Sequence, residues 1–172
     1  MFEINNSENQ EAEYKEIPTP ANIPPNIQPK QEKKKTSSWK ATVLIIDDQA
    51  SIRDVTKIML KTHGFSAITA KDGLDGISIF MEYIDYIDAV LLDMEMPNLN
   101  GEEVFHELVK IKSDIPIIFA SGYSDLATTN KIIAGGFAGF IRKPYRTDEL
   151  INKITSALED NKGNNQPSLD NL

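Results

Sequence analysis

Residues 42–53 read TVLIIDDQASIR, and the fold follows from this stretch. Thr42–Ile46 is a short apolar, β-branched run without polar alternation, the pattern of a strand buried on both faces. It stops at Asp47-Asp48. From Ser51 to Thr62 the period changes: Ile52, Val55 and Met59 fall on one face of a predicted helix, and Gly64 ends it. The same strand-then-helix alternation continues downstream. A strand is expected near Ser66–Ala70 and a helix from about Asp72 to Tyr83. The next strand, Ala89–Leu92, ends at Asp93. Its helix begins after Asn100-Gly101 and carries Val104, Leu108 and Ile111. Ile115–Ala120 ends at Ser121, and a helix over roughly Ser124 to Ala134 is closed by Gly135-Gly136. The last strand, Gly139–Arg142, ends at Lys143-Pro144. A final helix, capped by Thr147, runs to Leu158 with Leu150, Ile151 and Ile154 on its inner side. Five strand–helix units in about 117 residues suit one α/β domain with a parallel sheet covered by helices on both faces.

The flanks differ in kind. Residues 1–38 hold five of the nine prolines, abundant Asn, Gln, Glu and Lys, and no apolar periodicity. Such a segment cannot offset its ordering entropy by burial, so it is expected to be a disordered arm. Residues 161–172 are expected to be a flexible tail, leaving residues 40–160 as the folded domain. Charge is just as uneven. Residues 1–40 balance six Lys against six Glu, so the formal charge of −8 sits on residues 41–160, with 19 acidic and 11 basic side chains. A surface this acidic repels a phosphate backbone, so no nucleic-acid partner is expected for the domain. No apolar run approaches the roughly 20 residues needed to cross a bilayer, and the N-terminus lacks an apolar signal core. No membrane association and a cytoplasmic location are therefore expected. There is no cysteine, which excludes disulfide and thiolate chemistry.

In an open parallel sheet, ligands bind beyond the carboxyl ends of the strands. Those ends here carry Asp47 and Asp48, then Asp93, then Ser121, then Lys143. Any one of these could simply cap the next helix; four strand ends bearing acids, a hydroxyl and an amine together point to a site. Three carboxylates at one rim repel one another unless a cation joins them, and hard oxygen ligands suit Mg2+ or Mn2+. A metal and Lys143 together would let a phosphoryl donor approach a carboxylate nucleophile. His63, beside Gly64, and His106, on a charged helix face, are expected to be solvated. Trp39 is expected to pack at the domain edge. Gly135, Gly136 and Gly139 are not a dinucleotide fingerprint, since they end a helix rather than open one.

The stretches VLIIDDQASIR (43–53), AVLLDMEMPNLNG (89–101), PIIFASGYSD (116–125) and GFIRKPY (139–145) resemble the receiver domain of two-component response regulators. The resemblance spans about residues 42–158 and implies a doubly wound, flavodoxin-like sheet of order 2-1-3-4-5. It implies that Asp93 is the phosphoacceptor and that Asp48 ligates the metal, with help from Asp47 and the backbone carbonyl of Glu95. Ser121 would bond the phosphoryl group, Lys143 would pair with it, and Phe140 would be an aromatic switch turning inward on activation. Pro144 would follow a cis peptide bond. Ser121, Gly122 and Tyr145 stand where the family more often has threonine, alanine and phenylalanine. The implied partners are a histidine kinase or histidine phosphotransfer protein and an unknown downstream protein, engaged through the 124–134 helix, the fifth strand and the final helix. A self-phosphorylating switch rather than an enzyme is expected, as a stand-alone protein without an output domain. Two alternatives remain open: a receiver related to a hybrid sensor kinase, and a haloacid-dehalogenase-type phosphatase. The latter places its nucleophile after the first strand, whereas Asp93 follows the third.

Overall fold

The computed structural model describes residues 39–122 and 139–164. Among them the elements are β1 (Thr42–Ile46), α1 (Ala50–Thr62), β2 (Ser66–Ala70), α2 (Gly73–Glu82), β3 (Ala89–Asp93), α3 (Gly101–Ile111), β4 (Ile117–Ser121), β5 (Gly139–Arg142) and α4 (Thr147–Asn164). The expected arm over 1–38 and the expected helix over 124–134 lie outside the described residues. All strand pairs are parallel, in the order β2-β1-β3-β4-β5, as the resemblance implied.

Register brings the functional residues to one rim. Ile46 is level with Leu92, Asp93 with Ala120, and Ser121 with Arg142. Asp47, Asp93, Ser121 and Lys143 therefore all reach the same carboxyl edge of the sheet. Successive strand side chains point to opposite faces, and the core divides accordingly. Leu44, Ile46, Val90, Leu92 and Phe119 pack with Ile77 and Phe80 of α2 and Val104 and Leu108 of α3. On the other face Val43, Ile45, Leu91, Ile118 and Ile141 pack with Leu60 of α1 and Leu150 and Ile154 of α4. Each such buried aliphatic contributes roughly 1.5–3 kcal/mol relative to exposure.

The loops are held by side chains that replace missing helical bonds. Asp72 Oδ1 accepts from the Asp75 N–H at 2.8 Å to start α2. Asn100 and Glu103 form a reciprocal capping box at α3. Gly101 comes so close to the strand before it that a Cβ there would collide with the Asp93 carbonyl oxygen and lie 2.8 Å from Met94 Cα. The Lys143–Pro144 peptide is cis.

Four details depart from the sequence expectations. The inner face of α1 runs through Ile52, Thr56, Met59 and Leu60, whereas Val55 is 50% exposed. At about 100° per residue Val55 falls at the margin of that stripe, and a threonine occupies its middle. β4 begins at Ile117 rather than Ile115, because Pro116 has no N–H to donate; its carbonyl still accepts from Val90. α4 continues to Asn164, past Leu158, since apolar periodicity records how far a helix is packed and not how far it extends. The Arg146 carbonyl accepts the first bond of α4 from Leu150, so Arg146 rather than Thr147 holds the cap position. His63 and His106 are exposed, as expected. Trp39 is 42% exposed and thus only partly packed.

Two stability measurements follow. Gly101→Ala should lower unfolding free energy by about 1–3 kcal/mol in urea titration, since backbone atoms block the new methyl. On α1, Leu60→Ala should cost about 2–5 kcal/mol and Val55→Gln less than about 0.5 kcal/mol; equal effects would contradict the observed helix rotation.

Candidate functional site

Asp47 and Asp93 are 3% and 2% exposed, Ser121 is 5% exposed, and Asp48 stands exposed beside them. One carboxylate oxygen from each of Asp47, Asp48 and Asp93 lies within 4.8 Å of the others. Lys143 reaches into this group from the end of β5. Its Nζ donates to Asp47 Oδ2 at 2.6 Å and lies 2.9 Å from Asp93 Oδ2. The second contact is an ion pair outside hydrogen-bond geometry: Asp93 Oδ2 is buried and accepts no hydrogen bond. Asp93 Oδ1 accepts from the Glu95 N–H at 3.2 Å.

The electrostatics are consistent with this crowding. Burial pushes the Asp93 carboxyl above the usual carboxylate range, against the lowering influence of Lys143 and the Glu95 N–H; the nearby Asp47 charge pushes it further up. Burial disfavours the Lys143 ammonium, but Asp47 and Asp93 together outweigh it and hold its pKa above the ordinary value. The donor set is three carboxylates at one rim with an unsatisfied buried oxygen among them. That arrangement fits a hard divalent cation such as Mg2+, with Asp47, Asp48 and Asp93 as its holders.

A cleft of about 320 Å³ opens over the cluster, lined by Gln49, Ile52, Asp93, Glu95, Gly122 and Lys143. The Ser121 hydroxyl donates to Glu95 Oε1 at 3.3 Å across its side. Of the residues singled out from sequence, Asp47, Asp48, Asp93 and Lys143 form the cluster itself, with Ser121 and Glu95 at its edge. Phe140 is not among them; it is half-buried in β5 and packs against the core layer of α2 and α3.

Several supporting contacts escaped the sequence reading. The Gln49 N–H donates to Asp47 Oδ1 at 2.8 Å, and Arg53 Nη1 donates to the Asp47 carbonyl at 2.7 Å. Tyr145 Oη and Thr56 Oγ1 share a hydrogen bond of 2.7 Å. The short Asp-x-Gln spacing was the available signal for the first, since aspartate side chains bond backbone two residues on. For the last, the signal was a threonine within a buried helix stripe, whose hydroxyl needs a partner.

Because the folded state holds the Asp93 proton more tightly than the unfolded chain, ionising Asp93 costs stability. That cost is absent below the unfolded pKa and complete above the raised folded one. Without added divalent metal, Asp93→Asn should therefore be more stable than wild type at neutral pH, with a gap that closes as pH falls through that window. Urea midpoints of both proteins from pH 3 to 8 would test this; a gap independent of pH would contradict it.

The family model described as response regulator receiver domain matches residues 43–155. The cell cycle transcriptional regulator CtrA of Caulobacter vibrioides is 35% identical over 124 residues, covering 72% of this chain and 53% of that protein. The sensor kinase CckA of Brucella abortus is 32% identical over 130 residues, 76% of this chain and 14% of the kinase. The chain thus spans about half the length of the first of these relatives and far less of the second. Among solved structures, a response regulator receiver domain protein from Clostridium thermocellum superposes with a TM-score of 0.68 at 32% identity, over 71% of this chain and 97% of that one. With the fold, the strand order and the acidic rim in agreement, this chain belongs to the response regulator receiver domain family of two-component systems.

Proposed function

We propose that this chain is a phosphoacceptor switch in which Asp93 takes a phosphoryl group from a phosphohistidine on a kinase or phosphotransfer protein. The observation that carries the reading is Asp93 Oδ2: buried, unbonded, and 2.9 Å from a lysine ammonium. An oxygen of the Asp93 carboxylate attacks phosphorus. The P–N bond breaks with its electron pair on the imidazole nitrogen, which takes a proton from solvent, and an aspartyl phosphate remains. Lys143 already offsets negative charge at this oxygen and would pair with the phosphoryl group, since phosphoryl transfer depends mainly on positioning and charge neutralisation. Mg2+ (or Mn2+), held by Asp47, Asp48, Asp93 and the Glu95 carbonyl, supplies further charge neutralisation when bound.

The Ser121 hydroxyl, now turned to Glu95, would leave that partner for a phosphoryl oxygen. Phe140, half-buried in β5, would follow and shift a pre-existing equilibrium on the face read by the downstream protein. The chain acts on itself and not on a diffusing substrate, so it is a switch and not an enzyme in the usual sense. We place it in the cytoplasm; no helix among the described residues is long and apolar enough to cross a membrane. The charge argument against nucleic acid applies to the acidic receiver domain alone, because relatives named as transcriptional regulators are about twice as long as their match to it. The similarity to CckA supports a second setting, a receiver working within or beside a sensor kinase.

Intact-mass measurement after incubation with acetyl phosphate and Mg2+ tests the chemistry. Wild type should gain one phosphoryl group, and neither Asp93→Asn nor chelator-treated wild type should. An adduct that survives in Asp93→Asn would refute the assignment, as would a wild type that neither labels nor binds beryllofluoride.

A further inference from the structure

Among the described residues Lys143 is the one cation paired with the carboxylates of both Asp47 and Asp93, and it stands just past the end of β5. Between the end of β5 at Arg142 and the start of α4 at Thr147 lie four residues. The Lys143 N–H donates to the Ser121 carbonyl at 2.8 Å, and the Arg146 carbonyl accepts from Leu150 at 3.0 Å. Pro144 between them has no N–H to offer. Among the described residues a side-chain contact also holds the middle of the segment, through the residue after Pro144, Tyr145.

Tyr145 packs against the core layer of α1 and α4. Its hydroxyl meets Thr56 Oγ1 at 2.7 Å, and Thr56 is 1% exposed. A buried hydroxyl left without a partner is costly, and this bond supplies one for Thr56. Burial holds the Tyr145 phenol above its ordinary pKa, so it stays protonated and available to the pair. One turn back along α1, Arg53 Nη1 bonds the Asp47 carbonyl, while Gln49 at the head of the helix bonds Asp47 Oδ1. The contacts close a circuit: Asp47 to Arg53, along α1 to Thr56, across to Tyr145, back through Pro144 to Lys143, and from Lys143 Nζ to Asp47 Oδ2.

We propose that Tyr145 is a positioning residue for phosphoryl transfer: its bond to Thr56 ties the 143–146 segment to α1 and sets where Lys143 Nζ stands relative to Asp47 and Asp93. The inference rests on the phosphoacceptor reading above. A purely packing role would be met by the ring alone; the hydroxyl matters only if the tie does.

The test uses the full chain and the variants Tyr145→Phe, which keeps the ring, Thr56→Val, which keeps the shape, and the double variant. Three quantities are read: the rate of labelling by acetyl phosphate with Mg2+, the affinity for beryllofluoride, and the affinity for Mg2+ alone. Loss of the tie should slow labelling and weaken beryllofluoride binding by about tenfold, the scale of one hydrogen bond. Mg2+ affinity should change little, because its holders are the aspartates. The double variant should be no worse than the poorer single one, since both remove the same contact. The 15N resonance of the Lys143 ammonium should also move in each variant, a readout that needs no phosphorylation. Variants that lose stability but label and bind beryllofluoride as wild type does would overturn the positioning role alone. A wild type that neither labels nor binds beryllofluoride would overturn the phosphoacceptor reading and the positioning role with it.

Discussion

A single ammonium group, Lys143 Nζ, stands between two buried carboxylates, and the rim of the sheet is organised around it. Carboxylates withdrawn from water at this spacing repel each other more strongly than they would in solvent. The fold accepts that because β5 ends level with β4 and delivers a lysine to the same edge. The compensation is incomplete: Asp93 keeps one oxygen without a hydrogen bond and a raised pKa. Such incomplete neutralisation is costly to a resting protein and useful to a reactive one, since a ligand that brings positive charge, or chemistry that removes negative charge from Asp93, relieves it.

The rest of the molecule can be understood as support for that arrangement. The two core layers hold the sheet from both sides, so strand ends cannot slide relative to one another without moving buried side chains. Gly101 lets α3 begin against the Asp93–Met94 backbone, and the Asn100–Glu103 box anchors that turn. Strand ends and the residues just beyond them carry the reactive groups, and the packed scaffold fixes where those ends stand.

Much of this was legible in the sequence, for identifiable reasons. Continuous apolar runs such as Thr42–Ile46 and Ile117–Ala120 announce strands covered on both faces, and polar residues at their ends mark the rim because the apolar run stops there. Asp47, Asp93, Ser121 and Lys143 were all readable in that way. Contacts between residues far apart in the chain were not. Thr56 and Tyr145 are 89 positions apart, and each alone looks like an ordinary helix or loop residue. Val55 misled because periodicity locates a stripe only to within a residue when a polar side chain such as Thr56 lies inside it. The end of α4 was hidden for the opposite reason: beyond Leu158 the helix has no apolar face to declare itself.

The strand order has a consequence for how the chain comes into being. β1 is the earliest strand along the sequence and lies between β2 and β3, both of which follow it. During synthesis, the apolar segment Val43–Ile46 must wait for Ser66–Ala70 to cover one edge and for Ala89–Leu92 to cover the other. Until the chain has been made past Asp93, β1 has one open side, and non-local parallel pairing of this sort forms slowly. A nascent chain halted before that point would present an unpaired hydrophobic edge, the kind of surface that chaperones bind and aggregates recruit.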